Sequence, residues 1–163
     1  MLKDKTALVT GSTRGIGEAT ARALAAQGCN VMMNGFGDPD EIEAKRAQIE
    51  ADSGATVRFH GADLSDEKQL DDLVDSAEAA FGGVDILVNN AVIRYFHTVD
   101  DFDRDNWRHA LSVNVTAPFF LMQRVLPGMR KRGWGRLVNM ASVLGMGARS
   151  GRADYVTSKT AII

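Results

Sequence analysis

Cysteine is all but missing from this chain. A single residue, Cys29, occurs in 163, so no disulfide can form within the chain and packing with hydrogen bonds must hold the fold. Proline occurs three times and aromatic residues make up 7%, which excludes a proline-rich linker or a low-complexity segment. Neither sign of charge dominates. Nineteen Lys and Arg against twenty-one Asp and Glu leave a net charge of −2, with no basic face to attract a nucleic acid. The longest uncharged run, Ala110 to Gln123, is too short for a bilayer, contains Asn114 and Pro118, and reads as a buried helix. Lys3, Asp4 and Lys5 stand where a secretory leader needs apolar residues. These absences predict a cytoplasmic protein whose partners include no nucleic acid, membrane or metal. With 45% hydrophobic and 25% charged residues, residues 1–163 read as one globular domain.

Glycine is plentiful, and its placement is informative. Ala7 to Thr10 suit a buried strand and run into Gly11, Gly15 and Gly17, after which a helical pattern begins. A glycine in such a loop allows a tight turn, a close backbone approach to a phosphate, or close packing of helix on strand. A helix N-terminus aimed at the gap attracts anions. The pattern continues as strand Asn30–Asn34, a helix capped by Asp38 with Pro39 behind it and ending near Gly54, and strand Val57–His60. A helix capped by Ser65 follows, with Leu70, Leu73, Val74, Ala77 and Phe81 on one stripe, ended by Gly82-Gly83. Then come strand Val84–Val88, one long helix from about Asp103 to Arg132, strand Arg136–Met140 and a helix starting near Asp154. Strands alternating with helices predict an α/β fold with a doubly wound parallel sheet of the Rossmann type, its ligands beyond the carboxyl ends of the strands.

Tyr155 and Lys159 lie four apart and share a helix face; Ser142 lies thirteen residues upstream. A tyrosine, with an ordinary pKa of about 10, is an acid that becomes a usable base when a cation stabilises its phenolate. Lys159 can be that cation, and Ser142 can donate a hydrogen bond to a substrate oxygen. Pro118 has no N–H to give the carbonyl of Asn114 four residues back. Either that carbonyl is left free for a ligand, or Pro118 merely ends the helix.

Together with the glycine loop, Asn89-Asn90-Ala91 and Asn114, these residues resemble the classical short-chain dehydrogenase/reductase family over the whole chain. The resemblance implies hydride transfer between a secondary alcohol or ketone and a nicotinamide dinucleotide, with Asn114, Ser142, Tyr155 and Lys159 as the catalytic group. Asn114 would hold a relay water through its carbonyl, and Lys159 would also bind the nicotinamide ribose. Gly11, Thr13, Arg14, Gly15, Ile16, Gly17, Phe36, Asp63, Leu64, Asn90 and Ala91 would line the cofactor, with Asp63 on the adenine. Val92 departs from the family, which has glycine there; a β-branched residue resists positive φ. The end of the second strand, Asn34-Gly35-Phe36-Gly37, carries neither the carboxylate that favours NAD nor an arginine that favours NADP. It resembles the family's hydroxybutyrate dehydrogenases, which use NAD, whereas Arg14 beside Gly15 speaks for NADP; NAD is expected, with NADP possible.

At the positions where those enzymes hold a carboxylate, this chain has Arg94, Leu144 and Arg152, beside Ser142 and Tyr155. A guanidinium can grip a carboxylate through two parallel hydrogen bonds. A small anionic hydroxy or oxo acid such as 3-hydroxybutyrate is the expected substrate, against the alternative that both arginines are solvated surface charges. A 3-oxoacyl reductase using NADPH and an inactive dinucleotide-binding fragment are the other readings. The chain stops at Ala161-Ile162-Ile163 inside a helical pattern, so it reads as cut short after the fifth strand. The resemblance implies a homotetramer for the complete protein.

Overall fold

The computed structural model describes residues 2–163. Five parallel strands lie in the order β3-β2-β1-β4-β5: β1 Thr6–Val9, β2 Asn30–Asn34, β3 Val57–His60, β4 Ile86–Asn89 and β5 Arg136–Asn139. The order runs outward from β1 in both directions, so the loops after β1 and β4 diverge and open a crevice between them, where open α/β sheets bind ligands.

Residues alternate across the sheet because successive side chains of a strand point to opposite faces. Ala7, Val9, Val31, Met33, Ile86 and Val88 pack with Ala21 and Ala25 of α1 (Gly15–Ala26) and Ile49 of α2 (Pro39–Ser53). Leu8, Met32 and Leu87 face the other way, against Leu70, Leu73, Val74 and Ala77 of α3 (Glu67–Phe81). That apolar stripe of α3 matches the one expected from spacing. Helix α2 is capped as expected: the Asp38 carboxylate accepts from the N–H groups of Asp40 and Glu41, and Gly54 ends it in the left-handed conformation.

Helix α3 corrects one expectation. Its cap is Asp66 rather than Ser65: the Asp66 carboxylate accepts from the Lys68 N–H, while the Ser65 side chain is turned to the Asp63 carboxylate, which takes its N–H and hydroxyl at 2.9 and 2.8 Å. The expected long helix is also broken. It forms α4 (Arg104–Leu111), a π turn over Ser112–Thr116, and α5 (Ala117–Arg132). The N–H of Ala117 bonds the carbonyl of Ser112, five residues back, so the distortion begins before the proline. Pro118 withholds a donor from Asn114 in the α register and from Val113 in the π register. After β5 the chain forms a 3-10 turn over Val143–Met146, absent from the sequence expectation, and then α6 (Ala153–Ile162). Strand β5 is an edge whose Leu137 and Val138 are 37% and 41% exposed. Among the described residues no helix is long and apolar enough to cross a membrane.

The amino ends of the central strands are tied by one buried carboxylate. Asp85 accepts from the Thr6 N–H at 3.1 Å and from Arg132 Nε, at the end of α5, at 2.9 Å. Arg132→Met leaves that carboxylate partly unpaired and is expected to cost about 2 kcal/mol, less than a fully buried pair because Arg132 keeps a third of its exposure. Urea denaturation measures it, and the double change Asp85→Asn with Arg132→Met should recover most of the loss.

Candidate active site

Three glycines shape the loop after β1, each for a different reason. Gly11 has φ +61°, and a Cβ on it would lie 2.8 Å from Ala91 Cα. Gly15 has φ +58° with open space around it, so its requirement is conformational. A Cβ on Gly17 would lie 2.2 Å from the Gly11 carbonyl oxygen, so glycine lets the first turn of α1 rest on the loop. Arg14 occupies the cap position of α1 and supplies no side-chain acceptor. The first N–H groups of α1 therefore have no side-chain cap to satisfy them.

This loop is joined to β4 by hydrogen bonds. Thr10 Oγ1 accepts from the N–H groups of Asn90 and Ala91 at 3.0 and 3.1 Å, and Asn90 Nδ2 donates to the carbonyls of Thr10 and Gly11, both at 3.0 Å. Ser12 ties the same loop to β2 through both backbone groups of Asn34. Thr13 Oγ1 donates to the Phe36 carbonyl at 2.9 Å, and Lys45 Nζ donates to the Thr13 carbonyl at 2.9 Å. Asp38 caps α2 through its Oδ1. Thr10, Ser12 and Lys45 were missed by sequence reasoning, since no spacing marks them. Asp63 spends one oxygen on Ser65, and the Leu64 side chain is buried in the core. Val92 adopts no positive φ; among the described residues Asp4 is the lone non-glycine that does. Ile16 and Phe36 are 65% and 66% exposed, large apolar side chains that nothing among the described residues covers.

Of the expected catalytic residues, Tyr155 and Lys159 lie on α6 (Ala153–Ile162), Ser142 opens the 3-10 turn packed against it, and Asn114 lies in the π turn. The 3-10 turn lies along this helix: a Cβ on Gly145 would fall 2.7 Å from the Lys159 carbonyl oxygen, and Thr160 Oγ1 donates to the Gly145 carbonyl at 2.9 Å. Ser142 begins that turn, its Oγ accepting from the Leu144 N–H at 3.2 Å, which leaves the hydroxyl proton free to donate elsewhere. Lys159 is 5% exposed and donates from Nζ to the Met140 carbonyl at the end of β5, with Nζ 5.8 Å from the centre of the Tyr155 ring. Burial draws its pKa below the ordinary lysine value of 10.5. The charged form thus costs stability, and stability should rise with pH between the lowered folded value and 10.5.

Asn114, 3% exposed, acts through its side chain. Its Oδ1 accepts from the Ile93 N–H at 2.9 Å, while Nδ2 donates to the Ile93 carbonyl at 2.7 Å and to Ser158 Oγ at 3.2 Å. The π turn thereby fastens the loop after β4 to α6. On the same loop Phe96, which sequence reasoning missed, gathers both arginines. Arg94 Cζ is 5.8 Å and Arg152 Cζ 4.0 Å from its ring centre. Two hollows of about 370 and 460 Å³, one between α3 and α5 and one around Phe102 and Trp107, contain none of the expected residues.

Residues 5–163 match the family model described as short chain dehydrogenase. The D-beta-hydroxybutyrate dehydrogenase of Cupriavidus necator strain H16 is 45% identical over 163 residues, covering 100% of this chain and 62% of that protein. The chain thus spans 62% of the length of that curated relative. A metagenomic short-chain oxidoreductase solved in complex with NADP superposes with a TM-score of 0.92 at 31% identity, over 99% of this chain and 72% of the other. An NAD+-bound xylitol dehydrogenase gives a TM-score of 0.90 at 33% identity, over 99% and 62%.

Proposed function

The chain belongs to the short-chain dehydrogenase family, and from that membership we propose that it carries the cofactor-binding and proton-transfer core of an NAD(P)-dependent dehydrogenase acting on a small hydroxy or oxo acid. The observation that carries the reading is a buried Lys159 with no carboxylate partner beside Tyr155 on α6, with Ser142 opening the 3-10 turn that packs along that helix. A lysine buried without a carboxylate is expensive, and such positions mark function more than stability.

The residues present fit a dinucleotide. The uncapped N–H groups of α1 suit a pyrophosphate, and exposed Ile16 and Phe36 flank it with apolar surface. When bound, the nicotinamide gives or takes the hydride. Tyr155 takes the hydroxyl proton in oxidation and returns it in reduction, while Lys159 stabilises the phenolate. Ser142 donates to the substrate oxygen as its charge changes. Solved relatives bound to NADP and to NAD+ support either dinucleotide. NAD is the preferred reading, on the likeness to hydroxybutyrate dehydrogenase and the uncharged end of β2. Arg94 and Arg152, gathered on Phe96, supply the positive charge for a carboxylate, and Leu144 beside Ser142 supplies apolar surface. A cytoplasmic homotetramer is proposed for the whole protein.

Tyr155→Phe keeps the ring and loses the proton, so turnover should fall by about 10²–10⁴ with cofactor binding retained. Steady-state kinetics with cofactor titration checks this, and near-normal turnover would refute the role. For the substrate, a 3-oxo acid should be reduced with higher kcat/KM than its uncharged ester. Arg94→Ala or Arg152→Ala should lower the acid's value by about tenfold while sparing the ester.

A further inference from the structure

Asp154 is fully buried, immediately before Tyr155, and the reading above gives it no task. Its Oδ2 accepts from the Tyr95 N–H at 2.8 Å, and its Oδ1 has no partner among the described residues. A carboxylate so placed is costly. An acid in the first turn of a helix interacts favourably with the helix dipole from an exposed position, so helix formation does not require the burial.

What the carboxylate holds is the loop after β4. Tyr95 is fastened a second time by its hydroxyl, 2.9 Å from His109 Nδ1 on α4. Two residues earlier, Ile93 is held at both its N–H and its carbonyl by the Asn114 side chain. Arg94 lies between these two anchors, and Phe96, which carries the Arg94 and Arg152 guanidinium groups on its ring, follows the second. We propose that Asp154 is a positioning residue that fixes the Arg94–Phe96 segment to α6, so that the arginines and the Tyr155 hydroxyl keep one mutual geometry. Its working part is the acceptor oxygen on the Tyr95 amide. The kinetic consequence rests on the oxo-acid reading; the fastening itself does not.

The test compares Asp154→Ala, which removes the acceptor, with Asp154→Asn, which keeps an acceptor oxygen and removes the charge. Asp154→Leu replaces Ala if the cavity prevents folding. Hydrogen exchange of the Tyr95 amide should speed up about tenfold in the Ala variant, with KM for the 3-oxo acid raised by a similar factor and KM for the cofactor unchanged. The Asn variant should stay within about threefold of wild type in both. Unchanged exchange and KM in the Ala variant, or an Asn variant as impaired as Ala, would overturn the proposal. Faster exchange in an enzyme whose wild type reduces acid and ester equally well would uphold the fastening and sink the oxo-acid reading instead.

Discussion

The seam between β1 and β4 is the constraint on which the rest of the structure depends. Two parallel strands run side by side, yet the chains leaving them turn to opposite sides of the sheet. Where they part, backbone groups lose their ladder partners, and buried ones must find others. Thr10 and Asn90 supply those partners reciprocally, one through its hydroxyl and the other through its amide. The closeness this requires is possible because Gly11 and Gly17 have no Cβ to occupy the space. Four hydrogen bonds and two missing side chains thus fix where α1 begins, and so where its free N–H groups point.

From that seam the geometry propagates toward the substrate side. Ala91 leads into the loop that Asn114 clasps at Ile93 and Asp154 at Tyr95. Asn114 also reaches Ser158 on α6, one residue from Lys159. The π turn matters because it sits where the wide register brings Asn114 inward, to 3% exposure, between the loop and the helix. Lys159 then closes the circuit by donating to Met140 at the end of β5. The glycine loop, the loop after β4 and α6 are consequently parts of one hydrogen-bonded frame.

Much of this was legible in the sequence because it depends on local rules. Short apolar runs, glycine and aspartate caps and the four-residue Tyr–Lys spacing are properties of short segments, and β2, β3 and α2 lie where those rules put them. The misses share another cause. Ser65 looks like a cap until its side chain is seen turned to Asp63 and the helix start taken by Asp66, and Pro118 looks like the origin of a kink that in fact starts at Ser112. The roles of Thr10, Ser12, Lys45 and Asp154 arise from partners between 22 and 81 positions away, and Phe96 is met by Arg152 from another element. A single sequence carries no periodic trace of such contacts. The 3-10 turn at Val143–Met146 depends on Gly145 fitting against α6, a tertiary contact that no local propensity encodes.

On the proposed reading, the glycine seam builds a dinucleotide site. The most direct measurement is equilibrium binding of NADH, followed by its fluorescence, to the wild type and to Gly17→Ala, with cooperative unfolding checked in both. The added methyl would meet the Gly11 carbonyl oxygen at 2.2 Å, so the first turn of α1 must move off the loop. A seam that builds this site gives saturable binding by the wild type and affinity weakened by at least about tenfold in a variant that still unfolds cooperatively. Equal affinity in the two proteins would contradict that reading.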